Sequence, residues 1–145
     1  MCFLHVFFSA VSADACTQSR GYTDAENFSR AEYVFVAHIY PIEEIPPALG
    51  KPRPLFDLAA SFRLVEALKG EVPESGVIVS SLANCHGTLF AGLDNIFFAE
   101  RDEKGRIVDL GFAGGTRDFL PNVDRSTTYL DTFRRLSSDQ AKHKP

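Results

Sequence analysis

No other stretch restricts the fold of this chain as tightly as Glu32-Tyr33-Val34-Phe35-Val36-Ala37-His38-Ile39-Tyr40. β-Branched and aromatic residues fill it, a composition that packs well on a pleated surface and gives no advantage to a helix. Alternation sets Tyr33, Phe35, Ala37 and Ile39 on one face and Val34, Val36, His38 and Tyr40 on the other. Both faces are mostly apolar, so each needs a cover. That is the pattern of a barrel wall, lined by other strands inside and covered by a helix outside. Pro41 is expected to end regular pairing.

The remaining segments supply the partners. Phe56–Leu68 reads as a second strand, with Leu58, Ala60, Phe62 and Leu64 in alternation and a change of phase near Val65-Glu66-Ala67-Leu68 that predicts a bulge. Between the two strands, residues 43–55 hold four prolines and a glycine, which predicts a long exposed hairpin loop. Val77–Leu82, Asp94–Glu100 and Arg106–Leu110 are the third, fourth and fifth strands, the last two joined by a turn at Asp102-Glu103-Lys104-Gly105. The fifth is expected to fray through Gly111–Thr116. Ahead of the strands, Asp24–Ala31 forms a short helix capped by Thr23 or Asp24. At the other end, a helix capped by Asp124 or Ser126 carries an apolar stripe of Tyr129, Phe133 and Leu136 flanked by Leu130, with a polar tail from Gln140. The 13 Phe residues with no Trp suit a strand-rich core. The fold class is therefore mainly β: a small five-stranded barrel of the oligonucleotide/oligosaccharide-binding (OB) type, with a short N-terminal helix and a C-terminal helix. A β-sandwich is the rival arrangement.

The first residues have another character. Met1–Val11 is apolar and almost free of charge, and Ala13-Asp14-Ala15 supplies small residues at the −3 and −1 positions of a peptidase site. The expected division is a signal peptide over 1–15 and one domain over 16–145, located outside the cell or in the periplasm. Two alternatives stand beside it: a buried first strand of a cytosolic domain, and a lipid-anchored envelope protein acylated at Cys16. The run is too short to span a bilayer as a helix, so no membrane span is expected. Cleavage after Ala15 removes Cys2 and leaves Cys16 and Cys85, an even pair in an oxidising compartment. A bridge between them closes a loop of roughly 70 residues and stabilises the fold by about 4 kcal/mol in the chain-entropy model. In a cytosolic protein the same pair would be two buried thiols.

In order along the chain, an N-terminal Cys16-Thr17, the strand Tyr33-Val34-Phe35-Val36-Ala37, the strand end Leu68-Lys69-Gly70, then Cys85-His86-Gly87 with Phe90 and Gly92, and finally Asn95-Ile96-Phe97-Phe98-Ala99 resemble the tissue inhibitors of metalloproteinases and the wider netrin-like module. The resemblance implies an OB-type barrel whose N-terminal segment is tied by a disulfide to the loop after the third strand. It further implies a protein-binding ridge of Cys16, Thr17, Asn84 and Cys85. In those inhibitors the terminal Cys gives its α-amino nitrogen and carbonyl oxygen to the zinc of a metalloproteinase, and the next side chain enters the specificity pocket. By position these roles fall to Cys16 and Thr17. The chemistry is sound in general, because an α-amino group has a reference pKa near 8 and a catalytic zinc keeps an open coordination position. The departure is Gln18, where the inhibitors carry a second cysteine, and four further cysteines of their inhibitory domain are missing. A structural or interaction module of the cell envelope is the alternative function.

Other residues carry less. His38 reads as a core or groove histidine, and His86 beside Cys85 lacks the free thiolate and orienting group that catalysis needs. No Cys-x-x-Cys or His-x-x-x-His spacing occurs, so no bound metal, cofactor or enzymatic centre is expected. Gly111, Gly114 and Gly115 lack the Lys-Ser/Thr of a phosphate loop. Glu43 and Glu44 are adjacent and as strand neighbours would point apart, so no paired-carboxylate site is expected, and Glu100–Lys104 is a solvated hairpin tip. Single-stranded nucleic acid, stacked on Tyr33, Phe35 and Tyr40, is a weaker partner for a chain of net charge −4, which becomes −3 once Asp14 leaves with the leader.

Overall fold

A computed structural model describes residues 21–47, 49–50, 52, 58–81 and 89–142. The elements run α1 (Asp24–Arg30), β1 (Tyr33–Glu44), β2 (Leu58–Lys69), β3 (Ser75–Ser80), β4 (Asp94–Arg101), β5 (Ile107–Asp109), α2 (Gly111–Gly114), β6 (Arg117–Phe119) and α3 (Asp124–Lys142). The strands hydrogen-bond in the order β1-β2-β3-β5-β4, and β4 returns to β1 to close a five-stranded barrel. All contacts in the ring are antiparallel except β3–β5, where Ile78 and Val79 lie beside Ile107 and Val108 in parallel. This is the OB-type arrangement with its two expected helices, and the closure of β4 on β1 rules out two separate sheets. The short β6 adds to β4 over Asp94–Ile96.

β1 has the two buried faces that its sequence demands. Tyr33, Phe35, Ala37 and Ile39 point into the barrel, where they meet Ala60, Phe62, Ile78, Phe97 and Ala99. Val34 and Val36 point outward into a second core formed with Phe28 of α1, Ile96 and Phe98 of β4, and Leu130 and Phe133 of α3. The phase change in β2 has the predicted cause. Register passes from Ala37↔Leu64 to Val36↔Glu66, skipping Val65, which is left exposed, and then skips Leu68. Each skipped residue is a bulge that turns the strand. Leu68 is thereby delivered to the outer core, while Ala60 and Phe62 stay inside.

Helix α1 begins where the sequence places it. Thr23 Oγ1 accepts from the Glu26 backbone N–H at 3.2 Å, and the Glu26 carboxylate accepts from the Thr23 N–H at 2.7 Å, a complete capping box. These bonds hold the Glu26 carboxyl below the usual carboxylate range. Its other end is closed from outside the helix: Lys69 Nζ donates to the carbonyls of Phe28, Ser29 and Ala31 at 2.6–2.8 Å. Seven residues cannot hold a helix alone, so these two caps and the burial of Phe28 maintain it.

Four expectations need correction. Pro41 does not end β1; the strand continues to Glu44 because a register shift between Ile39 and Ile42 accommodates the ring at a bulge. Glu43 and Glu44 consequently belong to the strand and not to the loop. Residues after β5 do not simply fray: Gly111–Gly114 makes a helical turn and Arg117–Phe119 pairs with β4. The C-terminal helix runs through Gln140 to Lys142. β3 begins two residues early, at Ser75, and the other described strand ends move by one residue at most; Phe56, Asp57 and Leu82, expected in strands, lie outside the described residues.

Candidate functional site

One end of the barrel collects the connections that matter for a binding ridge. β3 ends there at Ser80 and β4 begins there at Asp94, while Tyr22, ahead of α1, lies by Leu110 just after β5. Tyr22 shares a small cavity with Asn27 and Arg30 of α1 and with Leu110, Ala113 and Gly114, the Arg30 guanidinium lying 4.0 Å from the centre of the Tyr22 ring. Asp109, next to Leu110, ties this region to β3. Its carboxylate is 1% exposed and accepts from Ser80 Oγ at 2.8 Å, the Gly111 N–H at 2.9 Å and Thr116 Oγ1 at 2.6 Å. Thr116 Oγ1 in turn accepts from the Phe98 N–H at 3.0 Å. A buried carboxylate with three donors is a rigid junction. It fastens β5, α2 and the strand leading to Cys85.

β1 is fixed to the start of β4 at the same end. Ile39 donates its N–H to the Leu93 carbonyl and its own carbonyl accepts from Gly92, at 3.0 and 2.8 Å. One residue earlier, His38 Nδ1 lies 2.7 Å from Asp94 Oδ1, and both side chains are partly exposed. Tyr40 packs edge-on against the imidazole, with centroids 5.2 Å apart. The expected core or groove histidine is thus a half-buried histidine joined to a carboxylate. That pair could orient a proton acceptor; a nucleophilic triad would further need a hydroxyl or thiol on the other ring nitrogen. Inside the barrel, Asn95 is 1% exposed and its carboxamide has no partner among the described residues.

The opposite end is sealed by Tyr33. Arg101 donates to the Tyr33 hydroxyl through Nε and one terminal nitrogen at 3.1 and 2.8 Å, and to the Gly105 carbonyl at 2.9 Å. The Glu32 carboxylate accepts from the Tyr33 hydroxyl and the Arg101 N–H, which holds it below the usual range. At the hairpin tip, Asp102 accepts from Lys104, Arg106 and the Arg106 guanidinium, so the expected solvated turn is also an ordered one.

Of the residues singled out from the sequence, Cys16, Thr17, Asn84, Cys85 and His86 lie outside the described residues. Tyr33 and Phe35 are buried in the barrel, which leaves Tyr40 as the exposed member of the proposed stacking trio. Among the described residues, no three His, Cys, Asp or Glu side chains converge as a metal site, and no helix is long and apolar enough to cross a membrane. The His38–Asp94 pair and the Asp109 junction were not foreseen. Both depend on strand register, which local composition does not carry. No protein-family model matches the chain, and no curated protein sequence matches it.

Proposed function

We propose that this chain is a secreted or periplasmic protein-binding module of the netrin-like kind, related to the tissue inhibitors of metalloproteinases. It acts through a ridge of Cys16, Thr17, Asn84 and Cys85 and has no catalytic role. The observation that carries the reading is that the approaches to both cysteines pass the end of β5. Tyr22 lies against Leu110 and Gly114, while Asp109 bonds to Ser80. Cys16 precedes Tyr22 by six residues and Cys85 follows Ser81 by four. An extended chain covers about 3.3–3.6 Å per residue, so both tethers are long enough for a bridge whose Cα atoms stand about 5.5–6 Å apart. The OB-type ring with a helix before β1 and another after the last strand supports the same relationship.

In this reading, cleavage after Ala15 exposes the Cys16 amine beside its carbonyl, and the bridge to Cys85 aims both at a partner's zinc. Thr17 then enters the adjoining pocket. N-terminal sequencing of exported material is expected to give Cys16 as residue one, and a panel of zinc proteases is expected to lose activity with that form. Adding one residue before Cys16 should restore the activity, since the amine becomes a peptide nitrogen. A different start removes the chelation mechanism. The correct start with no inhibition anywhere in the panel leaves an interaction module of the envelope.

A further inference from the structure

The outer core opens into a groove beneath the last two turns of α3. Ala25 and Phe28 of α1, Leu68 of β2, and Leu136 and Ala141 of α3 surround a space of about 690 Å³. Small-molecule sites generally measure about 300–1,000 Å³ and are mostly apolar. Phe28 and Leu68 form a nearly buried floor, and the exposed Ala25 and Ala141 form the rim.

The charges beside the groove decide what can occupy it. Lys69 is the nearest cation, and burial pushes its amine below the ordinary lysine range. An ammonium has three protons, and all three are given to the carbonyls of Phe28, Ser29 and Ala31. No donor is left for an anion. Asp139 faces Lys142 at 3.2 Å on an exposed helix surface, so a cationic ligand would meet only a hydrated, already shared carboxylate, a contact worth little. An anion would shed water without finding a donor, and a cation would find only a solvent-screened carboxylate, so neither contact returns what desolvation costs. An uncharged molecule faces no such cost and gains from every apolar atom it covers. Ser137 and Gln140 remain at the edge for one hydrogen bond.

We propose that this groove binds an uncharged, largely apolar small molecule, a ring or medium-length alkyl chain carrying a single hydrogen-bonding group. The test uses the full chain and N-phenyl-1-naphthylamine, a neutral fluorescent probe, with octanol, octanoate and octylammonium as competitors of equal chain length. The expected result is saturable binding, with octanol displacing the probe at concentrations about tenfold lower than either ion, because only the ions are desolvated without a partner. Ala141→Trp and Ala25→Trp each fill the groove from an exposed rim position. Both should weaken the probe by about tenfold, the equivalent of 1.4 kcal/mol, with the thermal unfolding transition unchanged. Should a variant unfold, octanol-induced shifts of the backbone resonances of Ala25, Leu136 and Ala141 in the unsubstituted chain decide the matter. No saturable binding, equal displacement by an ion, unaltered affinity in either folded variant, or shifts confined to other residues would each overturn the proposal.

Discussion

Replacing Phe133 by alanine tests whether the terminal helix belongs to the fold or merely follows it. Phe133 is fully buried, stacks on Phe28 with centroids 6.2 Å apart, and meets Phe98 edge-on at 5.0 Å. Phe28 comes from α1 and Phe98 from β4, so this one ring joins three elements. Buried Phe→Ala substitutions cost about 3–5 kcal/mol, and the cost rises where the surroundings cannot collapse. Here one wall of the cavity is the closed barrel, held by hydrogen bonds on both sides of β4, which places the expectation near the middle of that range or above, about 4 kcal/mol. For a domain of this size that lowers the melting temperature by about 10 °C. Each aromatic pair adds about 0.5–1.5 kcal/mol beyond burial, so a double-mutant cycle with Phe28→Ala should return a coupling in that interval. Urea unfolding of the four proteins, followed by circular dichroism, supplies every number. A loss below about 1 kcal/mol for Phe133→Ala would mean that α3 does not pack on the barrel in solution, and the outer core and its groove would fall with it.

Three further substitutions probe the turns and edges. Gly70 and Gly105 share a backbone φ of +76°, but a Cβ at Gly70 would approach the Glu32 carbonyl and the Tyr33 ring at 2.8 Å, whereas one at Gly105 meets nothing within 4 Å. Gly105→Ala should therefore cost only the left-handed backbone term, about 1–2 kcal/mol, and Gly70→Ala clearly more; equal losses in parallel denaturation curves would remove the close approach of the β2–β3 turn to β1. Asp118, opposite Asn95 on β6, has an exposed side chain whose carboxyl is nonetheless pushed up by partial desolvation. A pKa raised on folding contributes stability that is full below the ordinary carboxylate range and lost as pH rises through the raised value. Asp118→Asn should thus gain a small amount of stability relative to the unsubstituted chain as pH climbs out of the acid range and then level off, the gain being limited by solvent screening of an exposed group; a difference that stays flat from about pH 3 to 7 in urea titrations would refute the raised carboxyl.

Much of the barrel was legible because its determinants are local. The alternation in Tyr33–Ile39 settles two buried faces whatever they touch, a cap at Thr23 or Asp24 sets a helix start to within a residue, and the broken phase at Val65–Leu68 announces a bulge before any partner strand is known. The candidate ridge was legible only as a cysteine pair and a resemblance, and its four residues lie outside the described residues. What stayed hidden was set by distant partners. Nothing around Pro41 reveals that β2 will pair past it, and the shift between Ile39 and Ile42 that permits this belongs to two strands together.

The division follows from the range of the forces involved. By itself the sequence determined which segments extend or coil and which of their faces must leave water, since side-chain shape, capping and apolar period act within a few residues. Only the tertiary structure decided that β4 closes on β1, that β6 finds the other edge of β4, that Lys69 caps a helix some 40 residues away, and that Asp109 binds Ser80 and Thr116. Those contacts follow from register, and a shift of one residue in a strand exchanges its entire inner and outer set. Register is selected by the two cores together, which no single segment of the chain contains.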